Sequence, residues 1–109
     1  MQVNETNTAS AAPNNGSAIS IVQDQRQAND YVFWQTSGGH IQGAITVPYP
    51  PQAVGKPFAL SSALSGTRIA STALDGVSEA LVLYQNNSNA VEAMTVNRNG
   101  AVLSTTDIF

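Results

Sequence analysis

This 109-residue sequence predicts an all-β fold: two four-stranded antiparallel sheets, shaped like propeller blades and completed by oligomerisation. Three observations point there. Short β-branched and aromatic runs alternate with Gly, Asn, Ser and Pro turn signals, and no stretch of helical length carries a clean 3.6-residue apolar stripe. Residues 30–42, "DYVFWQTSGGHIQ", and residues 80–92, "ALVLYQNNSNAVE", present the same features in the same order, fifty positions apart. Within them, "YVFW" and "LVLY" are apolar on both faces, because successive strand side chains point to opposite sides. A sheet wetted on one side would alternate instead. Such strands need cover on both faces, as radially stacked blades provide.

The elements follow in order. Residues 1–17 are polar, contain Pro13 and Gly16, and read as a flexible arm. Strands are expected at Ala18–Gln23, Tyr31–Thr36 and His40–Val47, with a weaker one around Pro57–Ser61. A second set is expected at Arg68–Leu74, Ala80–Gln85, Ala90–Asn97 and Ala101–Thr105. Between them lie "RQAND", "SGG", "VPYPPQAVG", "ALSG", "LDGVSE", "NNSN" and "NRNG". Residues 18–65 thus form the first blade and residues 66–109 the second. Ile19 matches Ile69, Val32 matches Val82, Phe33 matches Leu83, Trp34 matches Tyr84 and Gln35 matches Gln85. "AITV" at Ala44–Val47 then matches "AMTV" at Ala93–Val96 at a spacing of 49, which marks Gly43 as an inserted residue and a β-bulge. The Pro-rich segment "VPYPPQAVGKP" is read as a semi-extended crossing between blades, or as a partner-contact surface. Two blades cannot close a ring, whereas three copies of the chain would supply six. Symmetric self-association is the common way to close such interfaces.

Composition narrows the function. Charged residues are only 10% of the chain, against 42% apolar, which excludes an acidic disordered protein. Four scattered basic residues and a net charge of −3 offer no footprint for nucleic acid. No apolar run approaches the ~20 residues of a membrane span. The first residues have neither the basic nor the apolar segment of a signal peptide, and the compartment stays open. The absence of Cys removes disulfides, Cys-ligated zinc and a thiol nucleophile together. Glycosylation triplets at Asn4, Asn15 and Asn86 are of a kind that chance supplies in an Asn/Ser-rich chain.

From "RIAS" through "ALVLYQ", "NNSN" and "AVEA", with "SAIS", "DYVFWQ", "TSGG" and "HIQG" repeating the scheme, the chain resembles a blade of the fungal fucose-specific lectins. That family of six-bladed propellers includes the orange-peel mushroom lectin and small two-blade lectins that assemble as trimers. The resemblance covers about residues 17 to 105. It implies a non-enzymatic, carbohydrate-binding subunit with pockets between blades. In the family a second-strand Arg and a third-strand Glu grip sugar hydroxyls, and a Trp near the blade end covers the ring. Here Tyr31 and Leu81 stand at the Arg position, Gly43 (or Ala44) and Ala93 at the Glu position, and Val102 at the Trp position. All three contacts are replaced, so fucose binding in the family's manner is not expected.

Residues that could line a pocket between blades are Tyr31, His40, Gln42, Leu81 and Glu92. Tyr31 is the candidate for a ring open to ligand, with packing between blades as its other reading. Trp34, the only Trp, is expected in the core. His40, the only His, sits beside Gly38 and Gly39 in a turn; a metal would need carboxylates such as Glu92 or Asp75 as well, and none is expected. Asp24, Asp30, Asp75 and Glu79 recur near the first-to-second-strand loops, as solvated loops or equivalent rims. No G-x-S-x-G elbow or phosphate loop is present, so catalytic residues and cofactors are expected to be absent. Expected partners are further copies of the chain, a trimer among the closures, and glycans. The rival reading is a structural β-protein of coat, fibre or surface-layer type, with no small-molecule site.

Overall fold

The computed structural model describes residues 13, 15–24, 29–48, 51–74 and 78–109. They form eight strands: β1 Ile19–Gln23, β2 Asp30–Gln35, β3 His40–Pro48, β4 Pro51–Ser62, β5 Ala70–Ala73, β6 Glu79–Gln85, β7 Val91–Asn97 and β8 Val102–Asp107. Two antiparallel meanders result, β1-β2-β3-β4 and β5-β6-β7-β8. The all-β class is as the sequence predicts, and each expected run is a strand. Tight turns explain the meander. In "NNSN" and "NRNG" the Asn86 and Asn97 side-chain oxygens each accept two backbone N–H groups further along, at 2.9 and 3.0 Å. This is the local bond that suits Asn to turns.

Two expectations are corrected. The "VPYPPQAVG" segment does not cross between sheets. It is the β3–β4 hairpin, with Pro48 opposite Pro51, and β4 runs twelve residues rather than five. Tyr49 and Pro50 lie outside the described residues. The two prolines of β4, Pro51 and Pro57, are tolerated because it is an edge strand, needing hydrogen bonds on one side only. Nor is Gly43 inserted between β2 and β3. Their pairing runs unbroken from Asp30↔Thr46 to Gln35↔Ile41, just as Ala80↔Val96 runs to Gln85↔Val91. The spacing of fifty therefore holds through the third strands, and Ala44 is equivalent to Met94. A bulge does flank Gly43, but on the other side of β3: the β3–β4 register shifts between His40 and Gln42 and again between Gly43 and Ile45, and β4 carries the extra residues. Gly43 answers a different demand: a Cβ there would stand 2.6 Å from the Phe58 ring and 3.0 Å from the Phe33 ring.

Pairing also settles which way each side chain points. Tyr31, Phe33 and Gln35 share the inner face of the first sheet with Ser20, Val22, Ile41 and Ile45. They pack on Ala80, Val82, Tyr84, Met94 and Val96 of the second sheet, forming one buried cluster. The Tyr31 and Phe33 rings stack with centroids 6.1 Å apart. Each such buried side chain contributes about 1.5–3 kcal/mol from apolar surface removed from water. Across this seam β1 lies beside β5, joined by a Ser20–Ser71 hydroxyl hydrogen bond. Trp34 is buried as expected, 1% exposed, but it points to the outer face of the first sheet together with Ala44 and Thr46.

The duplication extends to hydrogen bonds. Ser17 Oγ accepts the Gln35 N–H at 2.9 Å, and fifty residues later Thr67 Oγ1 accepts the Gln85 N–H at 2.8 Å. Gly16 and Gly66, at φ of 76° and 80°, occupy the left-handed region that glycine enters without strain. Of the arm assigned to residues 1–17, residues 1–12 and 14 lie outside the described residues. Residues 15–17 make the turn that residues 65–67 repeat.

Candidate functional site

The seam between the sheets has a polar group at each end. At the end formed by the β1–β2 and β7–β8 connections, Asp24 is 2% exposed and accepts the Tyr31 hydroxyl at 3.5 Å. Arg98 reaches across from the β7–β8 turn and sets its Nε 3.6 Å from Asp24 Oδ2, with a third of its side chain still open to solvent. This ion pair spans both sheets. At the opposite end Tyr84 donates to Glu92 Oε1 at 2.9 Å, and Asn86 Nδ2 reaches Glu92 at 3.3 Å and Asp107 at 3.2 Å.

Burial pushes both tyrosines up to about 12 from their ordinary 10.0. For Tyr31 the neighbouring Asp24 charge adds to desolvation, and Arg98 partly offsets it. For Tyr84 desolvation comes first, the Ser61 hydrogen bond works against it, and Glu92 adds to it. A raised folded pKa means the native state holds protons the unfolded chain has lost. The stabilisation is therefore complete below pH 10 and is lost as pH rises through 12. Denaturant midpoints are expected to stay flat up to pH 10 and to drop steadily beyond it. Tyr31→Phe should blunt that drop, and phenolate absorbance followed against pH checks the assignment.

The five residues expected to line a pocket do not meet in one place. Tyr31 faces the seam and is fully buried, so it packs against Phe33 and presents no ring to solvent. Glu92 faces the same seam from the second sheet, at its other end beside Tyr84. Gln42, paired with Trp34, lies on the outer face of the first sheet. Its Oε1 is buried and meets no donor among the described residues. His40 is exposed at the start of β3, and Leu81, half-buried, faces outward from the second sheet. Asp30 begins β2 and Glu79 begins β6, while Asp75 lies outside the described residues. Among the described residues no group of three His, Asp or Glu side chains gathers that could hold a metal ion. No helix among them is long and apolar enough to cross a membrane.

Sequence reasoning singled out Asp24 as a loop carboxylate but missed its partner. Arg98 is 74 positions away in "NRNG", where a basic residue reads as an ordinary solvated turn. The only available signal was scarcity, since Arg98 is one of four basic residues in the chain. Compared with protein-family models, curated proteins and solved structures, the chain finds no match.

Proposed function

We propose that the chain is a non-catalytic, lectin-like subunit of a β-propeller, which associates with further copies of itself and takes carbohydrate at the seam between its sheets. The observation that carries this reading is the Asp24–Arg98 pair. It sets a guanidinium, rich in donors and carried on a side chain one third open to solvent, against a carboxylate that only accepts, with the Tyr31 hydroxyl beside them. Vicinal sugar hydroxyls are donors and acceptors at once, and charge-assisted hydrogen bonds to such a pair are about twice as strong as neutral ones. The family's own contacts are replaced at Tyr31, Leu81, Gly43 and Ala93, so the pair here comes from loops rather than strands. This reading predicts a sugar other than fucose held in that manner.

A glycan array probed with the purified chain tests this. Binding of at least one glycan class is expected, and Arg98→Ala should weaken it tenfold or more, a loss of about 1.4 kcal/mol. An assembled protein that binds no glycan would leave the second reading, a structural assembly unit of coat, fibre or surface-layer type without a small-molecule site. One observation favours that second reading: Tyr31 is sealed into the seam rather than offered to a ligand.

A further inference from the structure

The junction between the two sheets is built around Gln35. Its Nε2 lies within hydrogen-bond distance of the carbonyls of Gly39, Ala63 and Leu64, at 3.2, 3.4 and 3.0 Å. Its Oε1 accepts the Gly66 N–H at 3.0 Å. Gly66 belongs to the turn that leads into the second sheet, so one carboxamide ties the end of β2 to the next sheet's entry. Gln85, the equivalent side chain, repeats only the local bond, from Nε2 to Asn89 O at 3.4 Å. Its Oε1 meets no donor among the described residues. The missing partner has a counterpart at the other end of the chain. Gly16 has the φ of Gly66, sits one residue before Ser17 as Gly66 sits before Thr67, and its N–H meets no acceptor among the described residues.

The sheet faces show the same mismatch. Tyr31, Phe33, Ile41 and Ile45 on the inner face of the first sheet are buried at 0, 0, 0 and 5% exposure. Their equivalents Leu81, Leu83, Val91 and Thr95, on the outer face of the second sheet, are all left partly open. On the outer face of the first sheet Ile19 and Ile21 are 60% and 64% exposed, unusually open for large apolar side chains in strands. Ile69, the equivalent of Ile19, packs against the seam cluster. Within the chain Ser20 meets Ser71. Their equivalents are Ala70, exposed on the second sheet, and Ile21. The polar pair inside the chain thus becomes, between copies, a small apolar residue facing a large one.

We propose that a second copy of this chain docks its first sheet on the outer face of the second sheet, repeating the internal seam. Gly16 of that copy then donates to Gln85, and its Ile19 and Ile21 cover Ala70 and the leucines of β6. The contact is head-to-tail, so it closes a ring or, if the rotation does not close, extends a filament. The inference rests on the blade-pair reading above but not on sugar binding.

Light scattering on the full chain and on surface variants tests it. Wild type is expected to assemble, while Ile21→Arg and Ala70→Arg, both at exposed positions, should each fall to the single-chain mass of 11.4 kDa. Gln85→Ala should weaken assembly tenfold or more. The decisive arm mixes the two Arg variants. Each keeps one intact surface, so the mixture should form a dimer of twice the chain mass and nothing larger. A monomeric wild type, single variants that still assemble, or a mixture that stays monomeric would overturn the contact. Assembly with this pattern but no binding on the glycan array would remove the lectin reading alone.

Discussion

Gln35→Ala is expected to destabilise the chain by about 3 kcal/mol, while Gln85→Ala costs the isolated chain about 0.5 kcal/mol or less. The residues are the same, at the same place in the same motif. What differs is burial and the partners that burial isolates. Gln35 is 1% exposed, and its carboxamide serves Gly39, Ala63, Leu64 and Gly66 together. Truncation leaves the Gly66 N–H and the carbonyls of Ala63 and Leu64 without that partner. The buried Ala63 carbonyl, out of reach of water, carries the largest share of the cost, about 1–3 kcal/mol for a group so stranded. Gln85 makes one exposed side-chain bond that water can replace. Urea unfolding of both variants, at a concentration where the wild type is dissociated, decides the matter. Equal losses would mean that the junction carries no special weight.

The second large effect is expected at Gly43. Gly43→Ala should cost about 2 kcal/mol, within the range for overpacking a filled core. The new methyl group has no free direction, because the Phe58 and Phe33 rings close on Gly43 from β4 and β2. Phe58 cannot simply retreat. Its other side lies against Gly100, where an added Cβ would also collide, and there with Phe58 Cβ at 2.7 Å. Trimming the ring should relieve the collision, so Gly43→Ala combined with Phe58→Leu should cost clearly less than the sum of the two alone. Residues in contact couple by about 0.5–3 kcal/mol in such cycles. A Gly43→Ala protein as stable as wild type would show that the rings do not bracket this glycine. Strict additivity would place the strain elsewhere.

The strands were legible for a plain reason. Short runs of β-branched and aromatic residues, cut by Asn, Gly and Ser turns, have few other stable uses in a chain this short. The duplication was legible too, in Val32/Val82, Gln35/Gln85 and the turns after them. The register of the third strands was not. "AITV" and "AMTV" look alike at a spacing of 49, yet β2–β3 and β6–β7 pairing holds them at fifty. Side-chain similarity cannot compete with an unbroken hydrogen-bond ladder, and a slip of one residue would turn every side chain of β3 to the wrong face. The length of β4 was hidden by prolines, which read as breakers in general but are compatible with an edge.

What the residues determined unaided is a duplicated, doubly apolar β-meander: strand apolarity and turn chemistry are local properties, written within a few positions of one another. Which face is covered, and by what, only the tertiary structure decided. Phe33 and Leu83 are equivalent in sequence, yet one is sealed in the seam and the other left partly open. Tyr31 became core rather than ligand contact, and Asp24 found Arg98 from 74 positions away. Burial and ion pairing depend on which surfaces the chain brings together, and neither has a periodic signature that a single strand can carry.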